Sequence, residues 1–190
     1  MVNDTSVSGF TCTTIRRDIK YPRIEFKTGN LVLVLPKHYD KEDELIDRHK
    51  RWIENKKRHI SSAMRIISEK SLEEPKKKED FQELVYREAQ KICKHLNTKI
   101  NKIYFRKMRT KWGSCSHCNN LTLNSLLAYL PDHLIEYVIF HEIAHTKERK
   151  HADNFWNVIE RKFKDHQKRE MELFGYWFLI QRELRNGAMI

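Results

Sequence analysis

His141 and His145 stand four residues apart, and Glu142 directly follows the first of them. Four residues advance an α-helix by a little over one turn, so both imidazoles leave one face and can reach one ion. Zinc held in this way lowers the pKa of a bound water to about 7, where a carboxylate leaning over it can take the proton. The expected chemistry is metal-assisted hydrolysis of an amide. The ion polarises the scissile carbonyl, Glu142 acts as general base on the water, and the same carboxyl delivers the proton to the leaving nitrogen. The bland alternative is an exposed helix that happens to display two histidines. Its neighbours argue against that, because Leu134, Ile135, Val138, Ile139, Phe140, Ile143 and Ala144 make the segment apolar on nearly every face. Histidines on a buried helix need partners, and a metal is the natural one.

A catalytic zinc takes three protein ligands and keeps a fourth position open. His151 follows His141 by ten residues. On an unbroken helix it would lie about 15 Å along the axis and point away from the pair. The helix is therefore expected to end after His145, with the chain turning back through Lys147-Glu148-Arg149-Lys150. The spacing equals that of metzincins, but Glu148 stands where their turn glycine would be, and no Met-turn pattern follows. Glu160 and Glu170 compete for the third position, as in thermolysin-like sites.

The elements that must position these groups can be read on either side. Ile24 and Phe26, a turn at Thr28-Gly29-Asn30, and Leu31, Leu33 and Leu35 predict a β-hairpin ended by Pro36. Asp40 is expected to open a helix, with Glu42, Asp43 and Glu44 in its first turn and Leu45, Ile46, His49, Trp52, Ile53 and Ile60 as its apolar stripe. The segment from Ser68 to Asp80, with Pro75 and three lysines, reads as a linker. It divides a β-rich subdomain with a helix, residues 1–75, from a core of residues 76–190. A second amphipathic helix is predicted from Phe81 to Leu96, then strands at Ile103–Phe105, Trp112–Cys115 and Leu121–Asn124, the last two joined by a turn at His117–Asn120. Pro131 introduces the histidine helix.

Four cysteines occur, at 12, 93, 115 and 118. Cys93 falls at helical spacing among apolar residues and reads as a small hydrophobe. Cys115 and Cys118 form a C-x-x-C with His117 inside, which could hold a second metal or cycle as a redox dithiol. It is a lone half-site, so a structural turn is the expected role. The N-terminus lacks the basic start and apolar stretch of a secretory signal, which makes the cytoplasm the expected address and a disulfide framework unexpected. No segment approaches the roughly 18 apolar residues of a membrane span. The formal charge is +11, with the excess concentrated between Lys76 and Lys111. Such a balance suits anionic partners, nucleic acid above all, although a solvated lysine-rich face explains it as well. Tyr104, Phe105 and Trp112 interleave with that basic stretch, a composition suited to backbone contact and base stacking.

From Arg109 to Trp156 the chain resembles the YgjP-like zinc metallopeptidases, relatives of the SprT-like group. The residues that carry the resemblance are Arg109, Trp112-Gly113-Ser114-Cys115-Ser116, Leu123-Asn124, Pro131, Tyr137-Val138-Ile139, His141-Glu142, His145, His151 and Phe155-Trp156. The N-terminal hairpin and the helix carrying Trp52 fit it too. The resemblance implies an α+β, zincin-like core with a small antiparallel sheet packed on the zinc helix. It also implies His151 as the third ligand, one zinc per chain and a polypeptide substrate, with DNA nearby as it is for SprT-like relatives. Arg109, Trp112 and Asn124 become candidate supporting residues, Arg109 for an oxyanion or a carboxylate, Trp112 for packing, Asn124 for a turn or cap. Where the family usually has a small glycine-containing turn, this chain has His117-Cys118-Asn119-Asn120.

Overall fold

A computed structural model describes residues 2–7, 10–27 and 29–185 of the chain. The fold is α+β and divides into two compact units, Met1–Glu69 with Trp177–Ile190, and Lys70–Tyr176. Among the described residues no helix is long and apolar enough to cross a membrane.

The first unit is built on strands β1 (Val2–Val7), β2 (Phe10–Arg17), β3 (Arg23–Lys27) and β4 (Asn30–Pro36), followed by helix α1 (Glu42–Ile66). The sheet order is β1-β2-β4-β3. Both outer pairings are antiparallel, and β2 meets β4 in parallel with Cys12 opposite Leu31. The predicted hairpin is β3–β4. Gly29 in its turn has φ +86°, a conformation that a residue with a Cβ adopts only at a cost. The sequence suggested alternation for β4, yet Leu31 to Leu35 are all buried. A continuous Leu-Val run suits a strand with two neighbours and both faces covered.

Helix α1 starts at Glu42, two residues beyond Asp40, and has no side-chain cap. Arg16 of β2 fixes its start instead, donating to the Tyr39 carbonyl at 2.6 Å and pairing with Glu42 at 2.5 Å. Leu45, Ile46 and Ile53 pack with Phe10, Leu31, Leu33 and Leu35 into one core. Trp52 departs from the expected stripe. It is 46% exposed, with its ring 5.9 Å from Phe26, because it stands beside Ile53 on the rim rather than beneath the sheet.

The second unit carries the site. Helix α2 (Lys78–His95) buries Phe81, Val85, Ala89 and Ile92. It ends in a left-handed cap at Asn97, φ +46°, where the Thr98 amide returns to the Cys93 carbonyl. Strands β5 (Lys102–Arg106), β6 (Gly113–Cys115) and β7 (Asn120–Asn124) form a sheet in the order β5-β7-β6. The β6–β7 hairpin is antiparallel, turning at Asn119 with φ +51°. Strand β5 joins β7 in parallel because residues 107–112 carry the chain across to the far edge before β6 begins. Leu121 and Leu123 face inward and are fully buried. A short 3-10 turn (Ser125–Tyr129) leads to α3 (Asp132–Ala144), α4 (Asp153–Lys162) and α5 (His166–Arg185).

The segment expected as a linker, Ser68 to Asp80, is tied to this unit from Lys70 onward. Lys70 pairs with Glu172. The Lys76 amide donates to the Ala128 carbonyl, and its ammonium reaches the Leu130 carbonyl and Asp132. The two compact units divide at Glu69/Lys70 and again at Tyr176/Trp177.

Candidate metal centre

Helix α3 is buried on almost every side, including Leu134, Ile135, Val138, Ile139, Phe140, Ile143 and Ala144. Its polar groups gather at its two ends. At the C-terminal end His141 and His145 leave one face, and His145 itself is the C-cap, φ −63° and ψ −12°. The chain then turns as the ten-residue spacing to His151 requires. Thr146, Lys147 and Glu148 return their amides to Ile143 and Ala144.

Side chains of the turn pin it to the rest of the unit. Thr146 meets the Thr98 hydroxyl at 2.8 Å, and the Lys147 ammonium donates to the Asn97 carbonyl at 2.8 Å. Arg149 donates to the carbonyls of Ser116 and His117 and to Asn119 Oδ1, gripping the β6–β7 turn. These contacts bring His151 back over α3. His141 Nε2 and His151 Nε2 lie 2.9 Å apart. One ligand atom from each of His141, His145 and His151 falls within 4.8 Å of the others, and no other such group of three occurs among the described residues.

The rings are held from below and behind. Phe155, fully buried on α4, has its ring centroid 4.9 Å from His141, 4.5 Å from His145 and 4.7 Å from His151. Trp156 stacks on His151 at 5.8 Å. The Nδ1–H of His145 donates to the Glu148 carbonyl at 3.0 Å, which leaves its Nε2 lone pair free. His141 Nδ1 faces Glu170 Oε1 at 3.4 Å, and the same oxygen accepts from the Tyr137 hydroxyl at 2.6 Å. A metal-binding histidine ordinarily has such an acceptor behind its other nitrogen.

The electrostatics agree with this arrangement. Burial lowers the pKa of His145 and of His151, which favours the neutral rings that ligate metals. Burial alone would raise the Glu170 carboxyl, but hydrogen bonds from His141 and Tyr137 outweigh it and hold the group below its ordinary value. Tyr137 is pushed upward by burial and by Glu170, so its hydroxyl stays a donor. Glu142 is raised by burial, opposed by the charges of His141 and Lys111.

A cation fits these donors. Two imidazole nitrogens 2.9 Å apart, each with a lone pair, need a proton or an ion between them. A tetrahedral ion about 2.05 Å from each nitrogen sets its ligands about 3.3 Å apart, near the 2.9 Å between His141 and His151.

Glu142 lies against β6. A Cβ built on Gly113 would fall 2.6 Å from Glu142 Cγ and 3.0 Å from its Oε1. Gly113 is thus the recess into which the carboxylate fits, a role that sequence spacing did not reveal. Neither glutamate that competed for the third position joins the three histidines. Glu160 binds His166 Nε2 at 3.1 Å, and Glu170 stands behind His141.

The supporting candidates separate. Asn124 is buried and makes four hydrogen bonds, to the Met108 amide and carbonyl, the Lys111 carbonyl and the Leu126 amide, so it clamps the loop before β6. The Trp112 carbonyl accepts from the Asn124 amide at 2.8 Å, while the Trp112 ring is half-buried. Arg109 is exposed in the same loop. Cys115 and Cys118 are free thiols, the first half-buried with its pKa raised by burial, the second exposed.

Three comparisons with known proteins bear on this centre. A family model described as "YgjP-like, metallopeptidase domain" matches residues 66–175. Among solved structures, the metallopeptidase zymogen jannalysin of Methanocaldococcus jannaschii is 28% identical at a TM-score of 0.41, covering 47% of this chain and 90% of its own. The metallopeptidase zymogen abylysin of Pyrococcus abyssi is 22% identical at a TM-score of 0.42, covering 46% of this chain and 88% of its own. No curated protein matches.

Proposed function

The chain belongs to the YgjP-like metallopeptidases, and from that premise we propose a zinc-dependent peptidase with one ion per chain on His141, His145 and His151 and Glu142 as general base. The observation that carries the assignment is the convergence of three imidazoles, one ligand atom each within 4.8 Å, beside a half-buried carboxylate with a raised pKa. An all-histidine set of three with an open fourth position is a known catalytic zinc arrangement. Bound there, zinc supplies a Lewis acid and lowers the pKa of a water to about 7.

The chain's own residues perform the remaining tasks. Glu170 and the Glu148 carbonyl fix the tautomers of His141 and His145, so the Nε2 lone pairs point inward. Glu142 accepts a proton from the attacking water and passes it to the leaving nitrogen, a double duty that a raised carboxyl performs better than an ordinary one. Gly113 admits the Glu142 side chain, and α3 encloses the backbone beneath it.

The test pairs metal analysis with turnover on a quenched-fluorescent peptide library. Glu142→Gln should retain about one zinc per chain and lose hydrolysis by at least 100-fold. His151→Ala should lose zinc under mild chelation. A Glu142→Gln variant as fast as wild type would remove Glu142 from the mechanism.

A further inference from the structure

The outer face of the β5-β7-β6 sheet points to a second activity. Strand alternation turns Ile103, Phe105, Leu121 and Leu123 toward the helices, with Phe105 packed 5.6 Å from the Phe81 ring. It turns Lys102, Tyr104 and Arg106 outward, beside Thr122 of β7 and Ser114 of β6. Tyr104 is 38% exposed at the middle of the edge strand β5, an aromatic ring where a solvated sheet would carry a polar residue. The Arg106 guanidinium sits 5.7 Å from its centroid.

Charge is one-sided here. Between Glu88 and Asp132 there is no aspartate or glutamate, while eight lysines and arginines occur. Lys102, Lys107 and Arg109 are exposed, and among the described residues no ion pair neutralises them. An ordinary soluble surface intersperses both signs, whereas Lys102, Arg106, Lys107, Arg109 and Lys111 fall together on β5 and the loop that follows it with no acid among them, a one-signed run that favours a polyanion.

We propose that this face binds single-stranded nucleic acid, with Tyr104 stacking a base and Lys102, Arg106, Lys107 and Arg109 contacting phosphates. The pattern is an aromatic platform flanked by cations, the physical basis of sequence-tolerant single-strand binding. Phe105, which the sequence offered as a stacking partner, faces the core and takes no part. The residues are separate from the three histidines and Glu142, so the proposal stands or falls independently of the peptidase assignment.

The experiment is fluorescence anisotropy of the full chain with labelled dT20, at several salt concentrations. Wild type should bind with a log-log salt slope near −3, roughly −0.7 for each of four phosphates. Tyr104→Ala should weaken binding about 10-fold, within the range expected for one stacked base, while Tyr104→Phe binds as wild type. Lys102→Ala with Arg106→Ala should flatten the slope by about 1.4. Arg48→Ala with Arg51→Ala, exposed cations on α1, should change nothing. Zinc content and circular dichroism of each variant confirm that it is folded. No binding at low salt, an undiminished Tyr104→Ala, equal loss from the α1 variant, or displacement of dT20 by polyglutamate as effective as by unlabelled dT20 would each overturn the proposal.

Discussion

Gly113→Ala tests whether the Glu142 carboxylate, the proposed general base, is placed by the strand beside it. The φ of Gly113 lies outside the left-handed region, so alanine brings no backbone strain and acts only through its methyl group. That methyl would sit 2.6 Å from Glu142 Cγ and 3.0 Å from Cδ. Carbon atoms rest near 3.6 Å, so the Glu142 side chain must withdraw by about 1 Å. A displacement of that size at a reacting group costs about 100-fold in rate, or about 2.7 kcal/mol of transition-state stabilisation. Overpacking of a tight site adds about 1–3 kcal/mol of lost stability. The assay is kcat/KM on the peptide substrate, with zinc content and melting temperature measured on the same preparation. The expected result is a loss near 100-fold with zinc retained, since the atoms nearest the added methyl all belong to Glu142. Ser114→Ala, on the opposite face of β6, should stay within twofold. A Gly113→Ala enzyme within threefold of wild type would refute the reasoning.

Other perturbations address the supports. Glu170→Gln removes the charge behind His141 and should weaken zinc about 10- to 100-fold in chelator competition; unchanged affinity would deny Glu170 its orienting role. Glu172, only 5% exposed, pairs with Lys70 and His133, and these contacts outweigh burial to hold its pKa below the ordinary value. A carboxyl lowered by folding stabilises above its unfolded pKa and loses that contribution as pH falls through the folded one. Urea melts should therefore show Glu172→Gln weaker by about 1–2 kcal/mol at pH 7, after allowing for the exposure of Lys70, and nearly equal to wild type at pH 3. Asn124→Asp is isosteric but turns a carboxylate toward the carbonyls of Met108 and Lys111, where the amide donated. It should lower stability by about 2–3 kcal/mol in the same melts, and a neutral result would mean the clamp is dispensable.

The parts of the site that were legible in the sequence are those set by short-range geometry. Four residues on a helix place His141 and His145 on one face, and the ten-residue spacing to His151 required the turn that the chain makes after His145. The apolar run around them predicted a central helix, and α3 is buried along its length. Gly29 and Pro131 marked a hairpin and a helix start through their own backbone preferences. Trp52 misled because helical period assigns a side chain to a stripe without saying where the stripe's covering ends. Strand β4 misled in the other direction, since alternation cannot distinguish a half-covered strand from one with neighbours on both sides.

What could not be read are the contacts whose partners lie far apart in the chain. Glu170 was considered only as a ligand, because a glutamate 29 positions after His141 has no spacing rule to say whether it reaches the metal or the far side of the ring. Helix α5 decides this by placing it at Nδ1 of His141, in reach of the Tyr137 hydroxyl. The same limit applies to Arg149. Its side chain reads as part of a basic turn, yet it makes three bonds to the β6–β7 turn about thirty residues earlier. Those bonds link the segment that delivers His151 to the hairpin that carries Gly113, and hence to the recess that holds Glu142. The loop that bears His151 and the Glu142 carboxylate, both set on one hairpin, are positioned together. Losing Arg149 should therefore disturb metal affinity and turnover jointly, whereas filling the Gly113 recess should separate them.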